Sequence, residues 1–233
     1  MAQVLAVPGH VRHGFSYVGQ FNHDFGRITG IAASIKGNIL LCDYDNKNMT
    51  LVDPLGNYLK KLDLDSEPYD VAITSQNIGY ITQPNSRSVD LTRLSYTGYI
   101  IGLCLVKFHA VNEKSSFSCI GGQNYIMYHE TTRGYTKKID NIATLDTPTD
   151  ICSDDNGHIY VSGQGSNNIH RLERYLHKEP WETSGKTAWK LLDIPLDLSH
   201  GVKEPVALCF NHEFSKLYIV NKWGKSVLVF EVI

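Results

Sequence analysis

Two aspartates, Asp70 and Asp150, each stand two residues after a proline, in Glu67-Pro-Tyr-Asp-Val-Ala72 and Thr147-Pro-Thr-Asp-Ile-Cys152. Carboxylates that recur at equivalent places can converge on a divalent cation, which takes oxygen ligands. The repetition itself favours a structural role, each Asp accepting hydrogen bonds from backbone N–H groups of the loop before it. Asp43-Tyr-Asp-Asn-Lys-Asn48 opens like a calcium loop, with oxygen-bearing side chains at alternating places. It lacks the glycine at the sixth place, and Pro54 stands where the closing glutamate belongs. A turn whose Asp and Asn side chains bond their own backbone fits it better. His158 and His170 flank one hairpin and are expected to be exposed; no third ligand joins them. No Ser, His and Asp set has a nucleophile-elbow context, and no glycine-rich loop precedes a helix. Gly163-Gln-Gly-Ser166 belongs to a loop between strands. The chain has five cysteines, none with zinc spacing. An odd number suits a reducing compartment. Cys119, Cys152 and Cys209 read as small buried hydrophobes in the first strand of their modules. The residues therefore predict no catalytic group, no metal and no cofactor.

The elements that must position these residues form a repeat. Thr147–Ser162 and Glu204–Val220 read alike, as loop, strand, polar turn, strand, and earlier copies begin at Ile28 and Glu67. First strands start at Gly30, Asp70, Ser118, Asp150 and Ala207, giving steps of 40, 48, 32 and 57. Second strands are Ile39–Cys42, Tyr80–Thr82, Tyr125–Tyr128, His158–Val161 and Leu217–Val220. Third strands are Met49–Asp53, Ser88–Leu91, Ile169–Leu172 and Ser226–Glu231, with Gly134–Ile139 the weakest. Ser153-Asp-Asp-Asn-Gly157 reads as a tight hairpin turn. Short apolar runs punctuated by Gly, Asn, Asp and Pro are strands, and modules too small to bury a core alone must stack. The spacing predicts an all-β propeller of four-stranded blades.

The last module ends at its third strand, and the chain opens with an unclaimed strand, Phe15–Asn22. That strand is expected to pair with the edge of the last blade and close the ring. The predicted organisation is a short arm, residues 1–14, and one propeller domain, residues 15–233.

Ile28-Thr-Gly-Ile-Ala32, Gly37–Asn48, Val52-Asp-Pro-Leu-Gly-Asn57, Glu67–Ala72, Gly163–His170 and Pro205–Phe210 resemble the NHL-type propeller of tripartite-motif proteins, closest to the expanded molluscan set. The resemblance spans Ile28 to Ile233. It implies a noncatalytic, substrate-recruiting propeller of ubiquitin ligases, normally with six blades. Five modules are recognisable here. The missing copy would fall between Tyr135 and Thr147, and Leu172–Lys203 makes a longer connection than usual. The family's RING finger, B-box and coiled coil have no counterpart in this sequence, so ligase activity is not expected of it.

Lys plus Arg number 22 and Asp plus Glu 24, a formal charge of −2. That balance disfavours a sequence-independent grip on nucleic acid. Arg133, Lys137 and Lys138 read as a solvated turn and strand face. The N-terminus lacks the basic and apolar regions of a leader, and no run is long enough to span a membrane, so the expected place is the cytoplasm. The expected partner is a protein, with RNA as the alternative and a metal-dependent hydrolase or lyase using the channel as the second; no membrane or DNA partner is expected. Recognition usually lives on loops. The candidate face, built from the second-to-third-strand and blade-connecting loops, carries Tyr44, Asn46, Tyr69, Gln83, Asn85, Gln164, Asn167, Asn168, Lys222 and Trp223. Tyr69, Lys222 and Trp223 lead, as aromatic and cationic interface anchors.

Overall fold

The computed structural model describes residues 14–73, 79–83, 105–112, 115–120, 123–130, 135–139, 144–177 and 186–233. In chain order the strands are β1 (Phe15–Phe21), β2 (Ile28–Ala33), β3 (Ile39–Asp43), β4 (Asn48–Val52), β5 (Tyr58–Asp63), β6 (Asp70–Ile73), β7 (Gly79–Thr82), β8 (Leu105–Asn112) and β9 (Ser115–Ile120). They continue as β10 (Ile126–Glu130), β11 (Tyr135–Ile139), β12 (Pro148–Ser153), β13 (Ile159–Gly163), β14 (Asn168–His177), β15 (Lys186–Leu196), β16 (Ala207–Phe210), β17 (Lys216–Asn221) and β18 (Ser226–Val232). Four antiparallel four-stranded sheets, β2–β5, β8–β11, β12–β15 and β16–β18 with β1, are the blades of a β-propeller. Among the described residues β6 and β7 form a two-stranded sheet. The third strand expected after it, Ser88–Leu91, lies outside the described residues, as does Arg133.

The innermost strands pack side by side: β8 on β12, β12 on β16, β16 on β2 and β2 on β6. Most of the core lies between blades. Ile28, Ile39 and Leu41 of the β2 blade meet Tyr218, Val220 and Val227 of the β16 blade. Phe117, Ile126 and Tyr128 of the β8 blade meet Ile159, Leu172 and Trp189 of the β12 blade. Tyr160 and Ile169 then meet Leu208, Leu217 and Phe230. Fully burying such a side chain stabilises by about 1.5–3 kcal/mol, which is why single modules have to stack.

The ring closes as the sequence predicts. Phe15 pairs with Val232 and Phe21 with Val227 in antiparallel register, so β1 is the outer strand of the β16 blade. Gly14 and Ile233 exchange backbone hydrogen bonds of 2.9 and 3.0 Å.

Two expectations need correction. The innermost strand of the third module is β8, starting near Lys107, and the run at Ser118 belongs to its second strand, β9. Cys119 therefore sits in a second strand, while Cys152 and Cys209 lie in first strands as expected. Tyr135–Ile139 is likewise a fourth strand. The long connection after Leu172 is largely sheet, because β14 and β15 run on as one long hairpin.

Candidate functional site

Gly30, Asp70, Lys107, Asp150 and Ala207 stand near the start of their innermost strands, and Asp70, Lys107 and Asp150 line the channel. Their second-strand partners are Cys42, Thr82, Cys119, Ser162 and Val220. A register shift precedes the ring residue in β2, β8 and β12, turning it toward the axis. Gly30 is required by close approach, since a Cβ there would stand 2.8 Å from the Asp70 Cα. Strand-end hydroxyls hold two of the others, with Thr82 Oγ1 accepting from Asp70 N and Ser162 Oγ from Asp150 N, both at 2.9 Å.

Asp70 and Asp150 do converge, but on an ammonium. Lys107 Nζ donates to Asp70 Oδ1 and lies 3.6 Å from Asp150 Oδ1. Asp150 also accepts from Ile151 N and, across the blades, from Leu208 N, both at 2.8 Å. These are backbone groups of its own strand and the next blade rather than of the preceding loop. Burial drives the Asp150 carboxyl up, to about 6, against the pull of Lys107. Burial opposes the Lys107 charge, and the carboxylates of Asp150 and Asp70 outweigh it, so the lysine titrates above its ordinary range. A lysine between the carboxylates, nearer Asp70, does not fit a divalent-cation site. Among the described residues no three His, Cys, Asp or Glu side chains are grouped to hold a metal.

Lys107 separates two cavities. One, of about 440 Å³, opens on the candidate face. Four expected residues from four separate sheets line it: Tyr44, Tyr69, Gln164 and Trp223. Arg27, Lys107 and three threonines join them, and the sequence reading missed all five. Thr29 and Thr149 donate to the carbonyls of Pro68 and Pro205 in the next module, at 3.2 and 3.0 Å. Asp43 holds the Arg27 loop by accepting from Gly26 N (3.1 Å) and Arg27 N (3.3 Å). It also accepts from Asn46 N and Nδ2, so Asp43–Asn48 is the expected turn.

Trp223 is half exposed, and its indole N–H donates to Glu204 Oε1 at 3.0 Å. Glu204 N in turn donates to Asn167 Oδ1 at 2.8 Å. Lys222 and Trp223 have φ of 52° and 57°, a left-handed conformation rare outside glycine, and the next residue, Gly224, continues it at 86°. Gly224 cannot be replaced freely, because a Cβ would lie 2.5 Å from the Ile28 backbone. The remaining candidates bond their own or neighbouring loops or stand on the rim. Asn46 and Asn167 bond loop groups, Asn168 is buried against Ser166, and Gln83 Nε2 donates to Ser66 O at 3.1 Å. Lys222 is exposed on the rim. Asn85 lies outside the described residues, as do the side chains of Lys137 and Lys138.

The second cavity, of about 480 Å³, opens on the opposite face and is lined by Asp70, Lys107, Asp150, His109 and Ser153. His109 Nε2 lies 3.1 Å from Ser153 Oγ. No carboxylate orients that imidazole among the described residues, so the pair lacks the third member of a nucleophilic triad.

The expected exposure of His158 and His170 is overturned: both are buried. His158 Nδ1 pairs with Asp154 Oδ2 at 2.8 Å, within the hairpin turn the sequence predicts. His170 Nε2 meets Thr144 Oγ1 at 2.9 Å, and its Nδ1 has no partner among the described residues. Burial lowers His109 and His170 to about 4. A depressed histidine contributes stability present above pH 6.5 and lost as pH falls through 4. Asp150 runs oppositely, its penalty fading as pH falls from 6 toward 3.8. In His170→Gln, the slope of urea-measured stability between pH 6.5 and 4.5 should shrink by about one proton's worth, about 1.4 kcal/mol per pH unit at most. An unchanged slope would refute a neutral buried imidazole.

Among the described residues no helix is long and apolar enough to cross a membrane. No family model matches the chain, and no curated protein matches it. Solved structures do. A protein of unknown function from Bacteroides thetaiotaomicron is 11% identical over 95% of this chain and 76% of its own, with a TM-score of 0.51. The PQQ-bound aldose sugar dehydrogenase of Streptomyces coelicolor is 10% identical over 95% and 99%, with a TM-score of 0.58. Virginiamycin B lyase of Staphylococcus aureus, 11% identical over 94% and 100%, gives 0.46, too loose a likeness to argue from. At such identities the first two show one thing about this chain, a β-propeller fold.

Proposed function

We propose that this propeller is a noncatalytic protein-binding module working through the face that carries Trp223. The observation behind it is the assembly of Tyr44, Tyr69, Gln164 and Trp223 around one cavity. Aromatic groups held over a cleft with scattered polar groups suit recognition. The NHL resemblance extends the reading: the chain recruits substrates as the propeller of a tripartite-motif ubiquitin ligase does. We place it in the cytoplasm, where its buried free cysteines, Cys42, Cys119 and Cys152, would stay reduced.

Affinity capture from cytosolic extract tests this, with Trp223→Ala and Tyr69→Ala beside the wild type. Each substitution is expected to cut recovery of a bound protein about tenfold or more, on the scale of interface hot spots. Nuclease treatment should leave recovery unchanged; loss on treatment would move the reading to RNA. Recovery unaffected by both substitutions would remove this face from consideration.

A further inference from the structure

We propose that the cavity beneath Trp223 receives a carboxylate carried on an extended peptide segment, and that Arg27 is the group that takes it. This rests on the protein-binding reading and adds the chemistry of what enters. The channel is polarised. Lys107 lines both cavities, whereas Asp70 and Asp150 line only the opposite one. An anion entering beside Trp223 therefore meets Arg27 and Lys107 and, among the described residues, no carboxylate in the wall.

Arg27 is prepared for such a ligand. Its backbone is fixed by Asp43, and its guanidinium lies over the Tyr44 ring, 4.5 Å from the centroid. One nitrogen reaches Asp45 at 3.4 Å in an exposed pair, which is weakly held and open to competition. The buried Nε has no hydrogen-bond partner among the described residues, so a turn of the guanidinium that brings it to an incoming oxygen would relieve its desolvation. A guanidinium matches a carboxylate in a two-point fork. The Gln164 side-chain amide lines the same cavity with no partner among the described residues, free to bond a peptide backbone. Lys107 is already matched by two carboxylates, so among the described residues of the cavity the cation open to a ligand is Arg27, paired only with the exposed Asp45. That suits a monoanion, since phosphate recognition generally uses clustered arginines. A cavity of about 440 Å³ admits a short segment rather than a folded domain.

Fluorescein-labelled heptapeptide pools, blocked at both ends and carrying a central Glu or a central Gln, are titrated by anisotropy. A third pool carries Gln and a free C-terminus. The Glu pool is expected to bind the wild type about tenfold tighter than the blocked Gln pool. Arg27→Met should bring the Glu pool to the Gln level and leave the Gln pool unchanged, with Arg27→Lys in between and circular dichroism confirming the fold. Preference for the third pool over the blocked Gln pool would assign the carboxylate to a chain end, with the same dependence on Arg27. Equal affinity of all pools for the wild type, no binding by any pool, or a preference that survives Arg27→Met overturns the proposal. Equal affinities that Trp223→Ala abolishes would overturn the carboxylate and still leave the binding face standing.

Discussion

Lys107→Met should cost about 3–5 kcal/mol at pH 8, because it strands the buried Asp150 carboxylate, beside the half-buried Asp70, without its counter-charge. Asp150 is 6% exposed and Lys107 is 7% exposed. Lys107 ties β8 to β6 and to β12, and Asp150 carries the link on to β16 through Leu208 N. The ammonium joins strands of three sheets, and Asp150 adds a strand of the fourth. The sign of the pH effect follows from the two shifts. The raised lysine contributes stability present below pH 10.5 and lost above it, whereas the raised Asp150 carboxyl is least costly below 3.8 and most costly above 6. Without Lys107, Asp150 faces Asp70 alone and its proton is held more tightly still. The variant should therefore recover part of its loss between pH 8 and pH 5. Urea unfolding at both pH values measures it; a loss under about 1 kcal/mol at pH 8 would mean the lysine is dispensable.

Deleting residues 1–23 should abolish cooperative unfolding or lower stability by more than about 5 kcal/mol, a large part of a domain's usual total. The deletion removes six paired residues from β18 and uncovers its edge. Phe21, 9% exposed, leaves the core between the β16 and β2 blades. Phe15 and Tyr17 leave edge-on contacts with Tyr160 and Phe230 at 6.0 and 5.8 Å. An apolar strand edge so exposed invites association between copies. Size-exclusion chromatography should show aggregates, and a synthetic peptide of residues 14–23 should restore the monomer. A truncated chain that melts where the parent does would refute closure by β1.

The repeat made most of the fold legible, because apolar runs bounded by turn residues give strand order directly. It failed at the third module. There Ser118-Cys-Ile120 resembles the other first strands more closely than the alternating Leu105-Val-Lys-Phe-His-Ala110 does. Starting that module at Lys107 changes the steps to 40, 37, 43 and 57, more even over the first four modules. The slip also hides the charged group between Asp70 and Asp150, so the sequence reading ties their structural role to backbone N–H groups of the preceding loop and misses the ammonium that pairs with both. Four aromatic or amide residues at the cavity were legible from their loops. Arg27 was not, because it precedes a strand with no composition signal and acquires its role from Tyr44, a neighbour only in space. His158 and His170 misled because polarity suggested exposure; Asp154 and Thr144 provide the hydrogen bonds that let them go inside.

The hydrogen-bonded meeting of Gly14 with Ile233 also sets how the disc bears tension. β1 and β18 run antiparallel from that point, with their bonds perpendicular to the strands. Drawing residues 14 and 233 apart therefore peels the pair from one tip, a rung at a time. The seam resists pulling weakly there, and the rest of the circumference is spared until it has parted.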